Sequence, residues 1–182
     1  MDEARFWQLI DEVRTTASSE RTQVRELKRR LTELPLADVV AFDATFTAVQ
    51  QRLNTWDLWG AAYVINGGCS DDGFIDFRSW VIAQGSDTYR RALTHPDSLI
   101  EVLPTGGRTR RFGRRTLSLG AEPYSYAAEE VYEQRTGNEI YDEHPEPDPD
   151  AVHSWEPQGE PFEEDADALR QRYPRLAAVF LP

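Results

Sequence analysis

Three aspartates at the start of a predicted helix are the residues best placed to do chemistry. Asp71 and Asp72 follow Ser70 directly, and Asp76 lies four residues after Asp72. Because residues four apart share one face of a helix, we expect the carboxylates of Asp72 and Asp76 to lie side by side. Carboxylate oxygens are the ligands that Mg²⁺ and Mn²⁺ prefer. The spacing therefore predicts a divalent-metal site, of the kind that a small metal-dependent enzyme would use on an anionic, phosphorylated substrate.

The same aspartates also have a purely structural interpretation. Ser70 can cap the helix, and Asp71 and Asp72 suit the positive end of the helix dipole. Asp76 can pair with an arginine such as Arg78. The alternating acids and the terminal glutamate of an EF-hand are missing, which excludes that type of calcium loop. The metal or catalytic interpretation and the structural one both stay open at this point.

An arginine-rich run from Arg108 to Arg115 is the second candidate site. It contains five arginines and one phenylalanine, and guanidinium groups bind phosphates and carboxylates well. Together with Arg78, residues Arg108, Arg110 and Arg111 predict a surface that binds an anion or a partner. Such a run can also stay a solvated loop, or close on the acidic C-terminal third of the chain. Nucleic-acid binding is a third interpretation, and its affinity would fall steeply with salt.

The remaining reactive side chains are few and scattered. Cys69 precedes a predicted helix N-terminus, which can lower the pKa of a thiol, but free cysteines are commonly buried and inert. His95, two residues before Asp97, could be an oriented base or simply a helix end. His144 and His153 lie in an acidic stretch that could bind a transition metal weakly. No nucleophile–base set, zinc spacing, phosphate loop or dinucleotide fingerprint appears, so the sequence assigns no catalytic residue.

Large aromatic side chains recur near the predicted centre of the fold. Trp59, Tyr63 and Trp80 lie in two consecutive helical patterns, and His95 ends the next one. Rings at helical spacing most often belong to the core. If they line an exposed groove instead, they are typical anchors for a partner protein. The sequence therefore predicts a candidate groove at these four residues.

The elements that must position these residues are mostly helical, because apolar side chains recur at helical spacing between Ser, Pro and Gly breaks. They predict a mostly α fold, a compact bundle of about seven or eight helices. The predicted helices are 3–17, one after Ser19, one after Pro35, Trp56 to Asn66, Ser70 to Gly85, Ser86 to His95, Pro123 to Gly137 and Asp165 to Tyr173. The helix from Trp56 to Asn66 is apolar on most of its circumference, which predicts that it is buried at the centre.

Charge and proline content divide the chain into two parts. The net charge is −12, and residues 121–182 contain 16 of the 32 acidic residues but only 4 of the 20 basic ones. We predict a helical domain over 1–141, with an Arg-rich loop or short hairpin at 104–122. Residues 142–182 then form an irregular, acidic, proline-rich arm whose short terminal helix packs on the same domain. Such charge segregation is typical of a surface that binds a partner protein or its own basic loop.

Several segments of the chain resemble one protein family. The most specific is the block Asp71-Asp72-Gly73-Phe74-x-Asp76-Phe77-Arg78-x-Trp80-x-Ile82-x-x-Gly85. The others are Phe6-Trp7-x-Leu9-Ile10, Leu58-Trp59-x-Ala61-Ala62-Tyr63 before Gly67-Gly68, Tyr89 with His95-Pro96-Asp97-Ser98-Leu99, and Tyr126-x-Ala128-x-x-x-Tyr132-x-x-x-Thr136-Gly137. Over most of its length the chain resembles the bacterial family catalogued as domain of unknown function 4240. The resemblance implies a shared helical fold and supplies no activity.

The composition excludes some classes of protein and disfavours others. The longest uncharged apolar run, Leu58 to Ile65, has eight residues against the roughly 20 that a membrane-spanning helix needs. A single cysteine excludes a disulfide scaffold, the acidic start predicts no signal peptide, and the negative net charge disfavours nucleic acid as a partner. We expect a cytoplasmic interaction or regulatory module with a protein partner and no cofactor. The alternative is the metal-dependent enzyme, with Mg²⁺ or Mn²⁺ at Asp71, Asp72 and Asp76.

Overall fold

The structure is a computed structural model that describes residues 1–17, 19–103, 109–111, 114–117, 119–144 and 156–181. Its α-helices are α1 (Glu3–Thr16), α2 (Glu20–Thr32), α3 (Leu36–Arg52), α4 (Trp56–Asn66), α5 (Asp71–Ala83), α6 (Ser86–Thr94), α7 (Glu122–Ser125), α8 (Ala127–Thr136), α9 (Ala166–Arg172) and α10 (Pro174–Phe180). Two 3₁₀ helices cover Pro96–Glu101 and Ile140–Glu143, and two strands, β1 (Thr109–Arg111) and β2 (Arg114–Thr116), follow the first of them.

The predicted mostly helical class is confirmed, and the described ranges contain more helices than the seven or eight expected. Two of the helix boundaries that raise this number, the one between α7 and α8 and the one between α9 and α10, have a local cause. Tyr126 adopts φ −87° and ψ 0°, which separates α7 from α8. Tyr173 adopts φ −129° and ψ 62° because the residue before a proline, here Pro174, avoids the helical conformation. None of the helices in the described ranges has the length and apolar composition needed to cross a lipid bilayer.

Most of helix α4 is buried, as its apolar circumference predicts. Leu58, Ala61, Ala62 and Ile65 are fully buried. The Thr55 side chain accepts a hydrogen bond from the Leu58 backbone N–H and thereby caps the N-terminus of the helix. Gly67 ends the helix in the left-handed conformation, at φ 69°. These two caps fix which residues of α4 face the core and which reach the surface.

The C-terminal helices are part of the same core. Helix α10 packs on α4 and on the 3₁₀ helix Pro96–Glu101, and Phe180 is fully buried. The Asp97 carboxylate accepts hydrogen bonds from the backbone N–H groups of Arg175 and Leu176, at 3.0 and 2.9 Å. Asp97 therefore caps the N-terminus of a helix that lies 78 residues further along the chain.

The Arg-rich region contains a short hairpin, one of the two forms predicted for it. Strands β1 and β2 pair antiparallel, with Arg110 opposite Arg115. The Leu117 backbone N–H then donates to the Ile65 carbonyl of α4 at 2.8 Å, which ties the end of the hairpin to the core. Arg108 and the side chains of Arg110 and Arg111 lie outside the described residues, as does most of the proline-rich stretch 142–161.

Gly60 generates a stability prediction. A Cβ atom at this position would lie 2.2 Å from the Tyr173 hydroxyl and 3.0 Å from the Phe162 ring. Alanine normally stabilises a helix interior relative to glycine. Here we expect Gly60→Ala to lower the free energy of unfolding by about 1–3 kcal/mol, since the added atom overpacks the core. Urea denaturation measures the change.

The matched control for this substitution is Gly73→Ala in α5. Its added Cβ would come no closer than 3.3 Å to the Ser70 side chain, so we expect a change within about 1 kcal/mol. A Gly60→Ala chain as stable as the Gly73→Ala chain would contradict the tight approach of Tyr173 to α4.

Candidate functional site

Aromatic rings cover one face of α4 and continue onto α5. The Trp56 and Trp59 rings stack at 5.2 Å with an interplanar angle of 10°. Trp59 stacks in turn on Phe74 of α5, at 4.9 Å and 12°. Trp56, Trp59 and Tyr63 are only partly buried, whereas Phe74 is buried. We call Trp56, Trp59, Tyr63 and Phe74 the aromatic surface, because three of its four rings reach the solvent-accessible side of the helix.

Arg78 lies at the buried end of this stack. Its guanidinium carbon is 5.0 Å from the centre of the Phe74 ring, a distance typical of a cation–π contact. Its Nη1 donates to the Gln50 carbonyl at 3.3 Å, while its Nε is buried without a hydrogen-bond partner. No carboxylate of the described residues forms an ion pair with it. Burial without a counter-ion lowers the pKa of Arg78 to about 10.

An extended segment of the same chain covers the aromatic surface. We call residues 156–165 the C-terminal segment. The Gln158 N–H donates to the Asn54 carbonyl at 2.8 Å, and the Trp56 N–H donates to the Gln158 carbonyl at 2.9 Å. Thr55 and Gln158 thereby form an isolated parallel bridge. The segment satisfies backbone groups at the beginning of α4, where a helix leaves its first N–H groups unpaired.

Phe162 anchors the C-terminal segment. Its ring lies 6.2 Å from Trp56 and 5.4 Å from Tyr63. It occupies the space that the missing side chain of Gly60 leaves open. Next to it, the Tyr63 hydroxyl donates to the Glu164 carboxylate at 3.0 Å. An aromatic side chain seated in a recess is the kind of contact that carries much of the binding energy at protein interfaces.

Arg172 of α9 fixes the backbone of the segment from the other side. Its guanidinium group donates to the carbonyls of Glu160 and Pro161, at 2.9 and 3.0 Å. Its Nε also donates to the Asp57 carboxylate of α4, at 2.7 Å. One side chain therefore connects α4, α9 and the C-terminal segment.

The four residues of the predicted groove do not form one site. Trp59 and Tyr63 share the aromatic surface. Trp80 is buried, packs against Phe77 at 5.4 Å and lines a different cavity. His95 is exposed at the end of α6, with its Nδ1 2.9 Å from the Thr94 hydroxyl. The sequence identified aromatic residues near the centre of the fold but not which face each ring takes.

The three aspartates are placed at the beginning of α5 as predicted. Asp71 and Asp72 are exposed in the first turn, and Asp76 is partly buried. Burial, Glu122 and Asp72 together raise the pKa of the Asp76 carboxyl. Within the described ranges no group of three or more His, Cys, Asp or Glu side chains is arranged to hold a metal ion. The metal site stays a prediction of the sequence.

A thermal denaturation series tests that prediction. Chelator-treated chain is compared with and without Mg²⁺ or Mn²⁺, beside an Asp72→Asn/Asp76→Asn variant. Because ligands must converge on an ion to bind it, we expect no rise in Tm that depends on these two residues. A metal that binds only the folded chain raises Tm by mass action. A rise of several degrees that the double variant loses would establish the metal site and contradict our expectation.

Cys69 is not placed as a reactive thiol. It is half-buried between α4 and α5, and its carbonyl accepts a hydrogen bond from the Trp59 indole N–H at 3.1 Å. Burial, with contributions from Asp71 and Asp76, raises the pKa of the thiol to about 12. The thiol is therefore protonated at neutral pH, which is the inert form.

A buried carboxylate and a histidine form a pair that the sequence interpretation missed. Asp43 of α3 is 6 % exposed, and the Nε2 atom of His144 lies 3.1 Å from its Oδ2. The Tyr141 ring meets the His144 ring edge to face at 5.7 Å, and its hydroxyl donates to Glu129. The indication in the sequence was that Asp43 lies between Phe42 and Phe46, two core residues of the same helix. Its partner could not be found, because it lies 101 residues away.

The Asp43 pair generates a pH prediction. Burial raises the pKa of the Asp43 carboxyl from 3.8 to about 6, although His144 opposes the shift. Between about pH 4 and pH 6 the folded chain therefore binds more protons at this group than the unfolded chain. The stability contributed by the group falls as the pH rises through that window. We expect the wild-type chain to lose roughly 2 kcal/mol relative to Asp43→Asn between about pH 4 and pH 7.

Urea denaturation of both chains at the two pH values measures this difference. Asp142→Asn is the control, since it removes an exposed carboxyl near His144. This variant is expected to keep the pH dependence of the wild type. An Asp43→Asn chain with the same pH dependence as the wild type would show that Asp43 ionises normally.

The comparisons with known proteins give a family and no activity. No curated protein and no solved structure is significantly similar to the chain. One family model, described as "Protein of unknown function (DUF4240)", matches residues 1–134. The aromatic surface lies inside the matched range, and the C-terminal segment that covers it lies outside. The chain belongs to the DUF4240 family.

Proposed function

We propose that the chain is a protein-interaction module whose aromatic surface binds an extended acidic peptide. The observation that carries the proposal is the position of Phe162, which fills a recess over Gly60 between Trp56 and Tyr63. In this structure the chain's own C-terminal segment occupies the surface. A partner with a similar peptide would compete with that segment.

The contacts define the peptide that the surface accepts. Two backbone hydrogen bonds at Gln158 support an extended conformation, as in other modes of strand-like peptide addition. The partly buried ring of Phe162 supplies the apolar anchor, and a carboxylate two residues later meets the Tyr63 hydroxyl. Most other acidic side chains of the segment are exposed. We infer that the partner carries an aromatic residue in an acidic, extended stretch.

The C-terminal segment is part of the same chain, and this determines how strongly it competes with a free peptide for the aromatic surface. A segment of the same chain has an effective concentration on the order of millimolar at a surface that it can reach. A free peptide of the same sequence must exceed that concentration, or bind more tightly, to displace the segment. The surface is therefore closed to weak ligands and open to a partner with better contacts.

The other functional expectations are proposals of the same kind. We propose that residues 142–182 form a regulatory arm on a helical domain of residues 1–141, since α10 and the C-terminal segment both contact α4. We infer a cytoplasmic location from the composition, with its lone cysteine. No ligand cluster in the described ranges favours the alternative, a metal-dependent enzyme that acts on an anionic substrate.

A labelled peptide tests the proposed function. The probe is a fluorescein-labelled peptide with the sequence of residues 156–165, and the receptor is the full chain carrying Phe162→Ala. We expect the probe to bind this chain at least about tenfold more tightly than it binds the wild-type chain, because the internal competitor has lost its anchor. Fluorescence anisotropy measures both dissociation constants.

Two controls make the outcome specific. Tyr141→Ala removes an exposed aromatic ring outside the aromatic surface, so the chain should bind the probe as the wild type does. A probe with alanine in place of the phenylalanine should not bind the Phe162→Ala chain. If circular dichroism shows a folded Phe162→Ala chain and the probe does not bind it at millimolar concentration, the proposed function is wrong.

A further inference from the structure

Gly159 divides the C-terminal segment into two parts with different contacts. Before it, the backbone of Gln158 pairs with the beginning of α4. After it, the next two carbonyls accept hydrogen bonds from Arg172 of α9, and the ring of Phe162 enters the recess over Gly60. The chain bends at Gly159, so the two sets of contacts can form together only if the backbone changes direction at this residue.

The bend has a left-handed backbone conformation. Gly159 adopts φ 89°, a region that glycine enters readily and that other L-residues rarely adopt. No described atom lies within 4 Å of the position that a Cβ atom would take here. A side chain therefore has room at this position, and the backbone angle alone favours glycine. A peptide that reproduces the bend needs glycine, or a residue of the opposite chirality, at the same place.

Pro161 restricts the backbone between the bend and the aromatic anchor. Proline fixes its own φ and confines the residue before it, here Glu160, to extended conformations. The two carbonyls that Arg172 binds belong to these two residues. Because their backbone angles are restricted before binding as well, less conformational entropy is lost when a peptide with this proline binds.

Arg172 is positioned by contacts that do not involve the segment. Its Nε donates to the Asp57 carboxylate of α4 at 2.7 Å. Helix α10, which follows α9 directly, packs on α4 and has Phe180 fully buried. With the guanidinium group oriented in this way, its two Nη atoms reach the carbonyls of residues 160 and 161 at 2.9 and 3.0 Å. The planar group with its fixed donors suits such a paired contact.

We propose that the partner peptide carries glycine three residues and proline one residue before its aromatic anchor, and that Arg172 selects this bent backbone by binding the two carbonyls before the anchor. The pattern rests on the proposed function and specifies its partner as Gly-x-Pro-aromatic, followed two residues later by a carboxylate. Specificity then comes from the shape of the backbone as well as from side chains. A straight peptide cannot pair with the beginning of α4 and place its anchor in the recess together.

Three probes that differ only at the glycine test the role of the bend. Each is a fluorescein-labelled peptide of residues 156–165 with glycine, L-alanine or D-alanine at position 159, and the receptor is the full chain carrying Phe162→Ala. We expect the L-alanine probe to bind about tenfold more weakly than the glycine probe, because an L-residue is strained at positive φ. The D-alanine probe should bind at least as tightly as the glycine probe, since D-residues favour positive φ and its methyl group restricts the free peptide. Fluorescence anisotropy measures the three dissociation constants.

A substitution in the receptor tests the role of Arg172. Arg172→Lys in the Phe162→Ala chain keeps the charge but cannot hold the Asp57 carboxylate and two carbonyls at once. The internal segment of this receptor has lost its anchor, so the loss falls on the probe, and the glycine probe should bind about tenfold more weakly. The control Arg90→Lys makes the same change at an exposed ion pair of α6 and should leave Kd unchanged. If the Arg172→Lys chain does not fold, the L-alanine and D-alanine probes decide alone.

The outcomes distinguish the bend from the binding function on which it rests. If the glycine probe does not bind the Phe162→Ala chain, the proposed function and the Gly-x-Pro-aromatic pattern are both wrong. If the glycine probe binds but the L-alanine and D-alanine probes bind equally well, the aromatic surface accepts peptides without this bend, and the pattern alone is overturned. Equal binding of the glycine probe to the Arg172→Lys and Arg90→Lys chains contradicts selection by Arg172.

Discussion

The close approach of α9, α10 and the C-terminal segment to α4 depends on the absence of a side chain at Gly60. Tyr173 and Phe162 both reach the backbone of α4 at this point, and the Tyr173 hydroxyl donates to the Asp57 carbonyl at 2.9 Å. An atom added here would move both rings outward. The packing of the C-terminal helices on the core and the seating of Phe162 therefore share one steric constraint. The fold and the proposed peptide-binding surface cannot be altered independently at this residue.

Two ionisable side chains, Arg78 and Asp43, are buried in the core. Arg78 has a carbonyl and an aromatic ring as partners in place of a carboxylate. Asp43 has His144 beside it. Burial destabilises the charged form of both groups, which lowers the pKa of the arginine and raises that of the aspartate. Arg78 underlies the aromatic stack, and Asp43 connects α3 to the turn that begins the C-terminal arm.

The sequence by itself determined the mostly helical class, the burial of most of α4 and the beginnings of α4 and α5. Those features depend on local periodicity and on caps such as Thr55 and Ser70, whose effects extend over one or two turns. It also indicated that the chain belongs to the family that the match over residues 1–134 confirms.

Only the tertiary structure decided which side chains meet across long separations. Asp97 caps α10, Asp43 lies beside His144, and Phe162 lies on Trp56 and Tyr63. Trp59 and Trp80 are rings in neighbouring helices of the sequence, but Trp59 packs on Phe74 and Trp80 packs on Phe77 beside a different cavity. Each of these contacts depends on how helices pack side by side, and the periodicity of one helix carries no information about the neighbour that its face will meet.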